Sequence, residues 1–391
     1  MEMENPQKMS IKQLLIVMVK KDASDLYITA DLAPAYRING VVYPLKQPPL
    51  SGVQCEQLAN STMSEKQKAA FSAEMEMNLA LSYPDLGRFR VNIFRQRGNV
   101  GMVIRQIKTT VPTLEGLGLP EIFQEISMTK RGLVIMVGAT GSGKSTSLAA
   151  MIDWRNRNQA GHIITIEDPI EFVHPHKQCV VTQREVGTDT LEYELALKNT
   201  LRQAPDVILI GEIRDRKTME HALEFAETGH LAMATLHANN ANQALERVLN
   251  FFPEESHSQV RLNLALNVKA ILSQRLVKTL DDKRAPAIEI LINTPRIADL
   301  IIKWDISEIK AAMAAGANYG MQTFDQHLLK YWREEIISED EALRLADSVN
   351  DLRLQIKMAK LDSGSSGGKV DLNQLSSALG GGGRSGGGLK I

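Results

Sequence analysis

The chain has 391 residues, enough for two domains with separate cores. Its 45 basic and 46 acidic side chains leave a net charge of −1, which excludes a chain-wide electrostatic footprint for nucleic acid. Cys55 and Cys179 are the only cysteines and form no C-x-x-C pair, which excludes a zinc ribbon and a disulfide scaffold and points to reduced thiols in a cytoplasmic protein.

The first residues, Met1-Glu2-Met3-Glu4-Asn5, carry acid where a secretory signal carries base. The longest apolar run near them, residues 14–19, is shorter than the about 20 residues a membrane span needs. Membrane association is therefore expected only through a partner, with no direct insertion.

Ile11, Leu14, Leu15 and Met18 share a helical face and predict a helix over 11–20. Extended segments are predicted at 25–29 and 35–38, and Asn39-Gly40 signals a hairpin turn into 41–43. Residues 56–71 predict a helix. Residues 88–95 alternate, with Phe89, Val91 and Ile93 on one face; 96–99 read as a turn and 102–104 as a returning strand. This mixture predicts an α+β domain over 1–108. Pro112, Gly116 and Gly118 mark an interdomain linker at 109–118. From 119 to 356 helices alternate with apolar strands at 133–137, 162–166, 207–210, 231–235 and 288–292, the pattern of a parallel sheet covered by helices, an α/β domain. Residues 357–391 are rich in Gly and Ser. They lack the apolar surface to offset ordering entropy and read as a disordered tail.

The chemistry begins at Gly138-Ala139-Thr140-Gly141-Ser142-Gly143-Lys144-Ser145, which fits G-x-x-x-x-G-K-[ST] without mismatch, between a predicted strand and a helix opening at Thr146. Such a loop turns its backbone N–H groups onto phosphates, and the helix N-terminus adds positive partial charge. Lys144 can reach the β and γ phosphates of ATP, and the Ser145 hydroxyl can hold Mg²⁺.

The predicted strand 162–166 runs into Glu167-Asp168-Pro169-Ile170-Glu171, where open α/β sheets place ligands. A solvated acidic loop would look the same. Strand 207–210 runs into Gly211-Glu212 and resembles a second nucleotide motif of the form hhhhDE, with Gly211 where an aspartate usually holds the magnesium shell. Glu212 remains as the acid there. His230 and His237 bracket the strand 231–235 and are candidates for a γ-phosphate or subunit-contact role; His162, His174, His176 and His221 read as structural.

Taken together, the loop at 138–145, Ile164-Thr165-Ile166-Glu167-Asp168-Pro169-Ile170-Glu171-Phe172, Thr182-Gln183-Arg184-Glu185-Val186, residues 206–214, Glu227-Thr228-Gly229-His230 and Thr235-Leu236-His237 resemble the secretion ATPase superfamily. Within it the chain is similar to the type IV pilus retraction ATPases, the PilT/PilU group, over residues 11–356. Residues 196–206 and 236–247 resemble the PilU branch. The PilT branch carries a helix motif reading AIRNLIRE; here the stretch is Arg296-Ile297-Ala298-Asp299-Leu300-Ile301-Ile302-Lys303.

The resemblance implies a PAS-like N-terminal domain and a RecA-like P-loop domain assembled as a homo-hexamer. It implies an ATPase driving or assisting pilus retraction with ATP and Mg²⁺, beside a PilT-type sister ATPase and an inner-membrane platform protein, at the cytoplasmic face of that membrane. Lys144 matches the essential phosphate lysine, Glu171 the catalytic glutamate, Glu212 the glutamate of the second motif, and His230 and His237 the histidine box. N-terminal-domain arginines of the family reach the nucleotide; the positions most like them are Arg97 and Arg105, with Arg88, Arg90 and Arg95 nearby, and an exposed strand edge with solvated arginines is the other reading. Two further functions stay open on the residues alone: a nucleic-acid motor on the same core, and a ring adaptor that binds ATP without supplying force.

Overall fold

A computed structural model describes residues 10–107 and 110–364. They divide into two compact units: one of the residues up to 276 together with 285–323, the other of 277–284 together with the residues from 324 on.

The first unit begins with helix α1 (Ile11–Lys20) and strands β1 (Asp25–Ile28), β2 (Ala35–Ile38) and β3 (Val41–Pro44). Helices α2 (Gly52–Asn60) and α3 (Glu65–Glu74) follow, then β4 (Glu76–Tyr83), β5 (Gly87–Gln96) and β6 (Asn99–Ile107). The six strands form one antiparallel sheet in the order β3-β2-β1-β6-β5-β4. Its apolar face carries Phe89, Val91 and Ile93, which pack with Leu14, Leu15 and Met18 of α1 in one core. Arg97 and Gly98 both take positive φ (47° and 77°), as the central residues of a type I′ hairpin turn must.

The single helix predicted over 56–71 is two. Ser61 Oγ and Thr62 Oγ1 donate back to the Leu58 and Ala59 carbonyls at the end of α2. Ser64 then opens α3 with a capping box closed by Gln67. β4 is a strand beyond those predicted; Met77, Leu79, Leu81 and Tyr83 alternate along it toward the core, and it pairs with β5 over eight residues.

The second sheet of this unit is built from β7 (Gly132–Val137), β8 (Gly161–Glu167), β9 (Cys179–Glu185), β10 (Val207–Ile210), β11 (Leu231–Leu236), β12 (Val268–Lys278) and β13 (Arg284–Ile292). Its order is β13-β12-β7-β11-β10-β8-β9, with every neighbouring pair from β12 to β9 parallel. Helices α4 (Ile122–Ser127), α5 (Lys144–Asn158), α6 (Tyr193–Thr200), α7 (Arg216–Glu227), α8 (Ala241–Leu249), α9 (His257–Asn267), α10 (Pro295–Lys303) and α11 (Ile306–Ala315) accompany it. Every residue of β7, β10 and β11 is buried, so β7 and β10 read as unbroken apolar runs and β11 as one broken only by Thr235. The pleat splits them between two cores: Leu133, Ile135 and Val137 join one, Val134 and Met136 the other.

All five predicted strands are present; β9 and β12 are additional. Residues 108–109 of the expected linker region lie outside the described residues. Beyond them Leu114 and Leu119 are buried in the core that also holds Phe123, so this stretch is anchored to the parallel sheet.

The second unit contains α12 (Phe324–Arg333), α13 (Glu339–Leu345) and α14 (Val349–Gly364). The Asp325 carboxylate accepts the backbone N–H groups of Asp347 and Ser348 at 2.8 and 3.1 Å and so joins α12 to the start of α14. The tail expected from residue 357 starts instead as helix, since α14 continues to Gly364; residues 365–391 lie outside the described residues. Among the described residues no helix is long and apolar enough to cross a membrane.

Candidate functional site

Parallel strands deliver their C-terminal ends to one edge, and connections leaving that edge form a crevice. At the end of β7 the chain turns through 138–143 into α5, whose first residue is Lys144. Lys144 is 8% exposed, and its Nζ donates to the carbonyls of Gly138 and Ala139 at 2.7 and 2.9 Å. Burial pulls its pKa below the ordinary lysine range, and the Glu212 charge opposes that pull. The ammonium is thus held inside its own loop, donating to backbone oxygens that phosphate oxygens can replace.

The loop is seated by a residue that local sequence patterns did not single out. Gln274 of β12 donates through Nε2 to the Ser142 carbonyl at 2.8 Å and accepts the Ser147 hydroxyl at 2.7 Å. Its importance depends on β12 lying beside β7, which no local pattern reveals.

Thr140, Gly141, Lys144 and Ser145 form one wall of a cavity of about 240 Å³. Glu167, Glu171, Glu212 and His237 also line it. The structure therefore brings the phosphate loop, both predicted acids and one predicted histidine together. Gly138 and Ala139 open onto an adjoining hollow with His237 and Arg247. Ser142 and Gly143 are turned toward Gln274, and Thr146 is half-buried in the first turn of α5.

Glu212 is already engaged. Arg214 Nε donates to its Oε2 at 2.6 Å, and His237 Nε2 lies 3.1 Å from its Oε1. Arg214 also reaches Asp168 at 3.2 Å, tying the ends of β8 and β10 together. Burial, then the nearby Lys144 charge, depress the His237 pKa, so at neutral pH its uncharged ring can donate one N–H to Glu212.

Gly211 explains the departure from hhhhDE. A Cβ there would sit 2.7 Å from the Tyr193 hydroxyl, 3.1 Å from Glu167 Cα and 3.2 Å from the Ile166 carbonyl oxygen. Any side chain at 211 would have to displace the Tyr193 hydroxyl and crowd the backbone at 166–167.

Glu167 is 9% exposed, and burial pushes its carboxyl up to about 7. Hydrogen bonds from Thr165 Oγ1 at 2.7 Å and Gln183 Nε2 at 3.2 Å limit the rise. His174, read as structural from the sequence, also lines the cavity; it is 6% exposed, and burial pushes its pKa down to about 4.

Two of the predicted residues lie away from this cavity. His230 lies at the N-terminal end of β11, roughly 20 Å of strand from His237. Its Nδ1 bonds Thr228 Oγ1 at 3.0 Å and the Phe225 carbonyl at 3.3 Å, so strand polarity takes it away from the crevice. Arg97 occupies the β5–β6 turn, which does not reach the cavity. Arg105 donates to buried Asp25 at 2.8 Å while feeling the Glu171 charge. Arg95 pairs with Glu56 at 3.6 Å, and Arg90 stands opposite Arg105 across β5 and β6. Arg88 reaches the parallel-sheet side, pairing with Glu185 at 3.6 Å and Asp189 at 3.9 Å.

Among the described residues no cluster of three or more His, Cys, Asp or Glu side chains is arranged to hold a metal ion. The hard oxygen donors at the cavity, the Ser145 hydroxyl and the Glu212 carboxylate, suit a cation that takes its remaining ligands from phosphate and water.

Comparison with known proteins agrees with this geometry. The family described as Type II/IV secretion system protein matches residues 2–331. The type IV pilus ATPase PilU of Pseudomonas aeruginosa is 55% identical over 370 residues, 94% of this chain and 95% of the relative. The type IV pilus retraction ATPase PilT of the same organism is 43% identical over 334 residues, 85% of this chain and 97% of the relative. The crystal structure of the pilus retraction motor PilT with bound ADP superposes with a TM-score of 0.83 at 38% identity, covering 88% of this chain and 99% of that one.

Proposed function

The chain belongs to the type II/IV secretion system protein family, and from that premise we propose that it is an ATP-hydrolysing motor that drives or assists type IV pilus retraction. The observation that carries this reading is the cavity whose lining joins Thr140, Gly141, Lys144 and Ser145 of the phosphate loop with Glu171 and Glu212.

In this reading the loop amides and Lys144 bind the β and γ phosphates, with the Lys144 hydrogen bonds to Gly138 and Ala139 exchanged for bonds to phosphate oxygens. Glu171 orients the attacking water. Glu212, steadied by Arg214 and His237, stands at the end of the neighbouring strand. Ser145 and Glu212 would hold Mg²⁺, which supplies charge neutralisation at the phosphates when bound. Arginines of the antiparallel-sheet domain are the source of positive charge for the γ phosphate. Arg88 and Arg105 are better placed than Arg97, by their contacts with Glu185 and with the field of Glu171.

The finer assignments belong to the same proposal: a PAS-like domain over 1–108, a linker at 109–118, and a RecA-like domain with its C-terminal helices over 119–356. So do a homo-hexameric ring working beside a PilT-type sister ATPase, and attachment to the cytoplasmic face of the inner membrane through a platform protein. The test is phosphate release by the purified chain and by Lys144→Ala and Glu171→Gln. Turnover is expected to fall by at least about 100-fold in each, as for loss of a group that acts on the transition state. Full turnover in Lys144→Ala would overturn the assigned site. ATP binding without turnover in the unaltered chain would favour a ring adaptor instead.

A further inference from the structure

Glu171 sits on the connection between β8 and β9, a loop that must return the chain to the sheet while keeping one carboxylate in the cavity. β8 and β9 pair in parallel with Thr165 opposite Gln183 and Glu167 opposite Glu185, so these four side chains share one face. The Gln183 carboxamide contacts the connection on both sides of Glu171. Its Nε2 donates to Glu167 Oε1 at 3.2 Å and to the Phe172 carbonyl at 2.9 Å. Its Oε1 accepts the His174 backbone N–H at 2.7 Å. Glu185 adds a fourth tie, accepting the Ile170 N–H at 3.3 Å.

We propose that Gln183 is a positioning residue for hydrolysis, whose carboxamide holds the 167–174 segment so that Glu171 stays in the cavity. The requirement is for an amide. Two donors and one acceptor are used, and no other uncharged side chain of this length offers both. An apolar residue would leave the Phe172 carbonyl and the His174 N–H without these partners, and a carboxylate would have no hydrogen to give Glu167 or Phe172. The assignment rests on the proposed role of Glu171, which the experiment checks separately.

The test is steady-state phosphate release by the full chain over a range of Mg·ATP concentrations, for Gln183→Ala, Gln183→Glu and Glu171→Gln. For both Gln183 variants kcat is expected to fall about 10- to 100-fold with KM within about threefold, because the phosphate loop is untouched while the Glu171 loop is displaced. Gln183→Glu keeps the volume of the side chain and the acceptor for His174, so it carries the test where the alanine variant fails to fold. A kcat within about twofold of the unaltered chain, or a loss confined to KM, would overturn the inference. Full turnover in Glu171→Gln would overturn the role of Glu171 and this inference with it. An inactive Glu171→Gln beside a fully active Gln183→Ala would overturn this inference alone.

Discussion

Replacing Glu167 by glutamine should change how folding stability depends on pH. Glu167 ionises near 4.5 when unfolded and near 7 when folded, since burial disfavours the charged form more than its hydrogen bonds favour it. Below pH 4.5 both states hold the proton, and the contribution of this residue to stability is fully present. Between 4.5 and 7 the unfolded chain releases the proton while the folded chain keeps it, so stability falls as pH rises and levels off above 7. At about 1.4 kcal/mol per pH unit the whole loss is about 3 kcal/mol. His174 acts in the opposite sense. Its folded pKa near 4 lies below its ordinary 6.5, so its contribution is present above 6.5 and is lost as pH falls toward 4. The two slopes overlap, and the difference between the unaltered chain and Glu167→Gln isolates the carboxyl. Urea denaturation without nucleotide at pH 5, 6, 7 and 8 measures it. Relative to the unaltered chain, the glutamine variant should gain about 2.5 kcal/mol between pH 5 and 8, the rest of the change falling below pH 5. A difference that stays within about 0.5 kcal/mol across that range would refute the argument that Glu167 is held protonated by burial.

His237→Ala should lower ATP turnover by about tenfold or more through loss of its contact with Glu212, while His230→Ala, with its ring at the far end of β11, should leave turnover within about twofold. Arg97→Ala should likewise leave phosphate release within about twofold, since Arg97 belongs to the β5–β6 turn. Gly211→Ala should destabilise the chain by about 1–3 kcal/mol, measured by chemical denaturation, because its methyl group meets the Tyr193 hydroxyl and the backbone of Glu167. Pairing it with Tyr193→Phe, which removes that hydroxyl, should recover part of the loss.

Much of the site was legible without coordinates. The strand, glycine-rich turn and helix that make the phosphate loop are contiguous, and each reports its conformation through its own residues: the apolar run of β7, the glycines from 138 to 143, the helix from Lys144. Glu171 and Glu212 were legible for a related reason, because the connection leaving the C-terminal end of a buried parallel strand falls at the ligand edge. The same rule separates the two histidines that bracket β11: His237 follows it and lies at that edge, whereas His230 precedes it and lies at the other end.

Sequence alone determined that this chain carries a phosphate-binding loop in a parallel α/β domain, because that information is local and repeats over a few residues. Tertiary structure decided which distant residues support the loop: Gln274 under Ser142, Gln183 across the Glu171 connection, Arg88 against Glu185, and Tyr193 beside the bare backbone of Gly211. Each of these pairings depends on strand order and register. Those follow from how two cores close around the sheet as a whole, and no short window of residues encodes them.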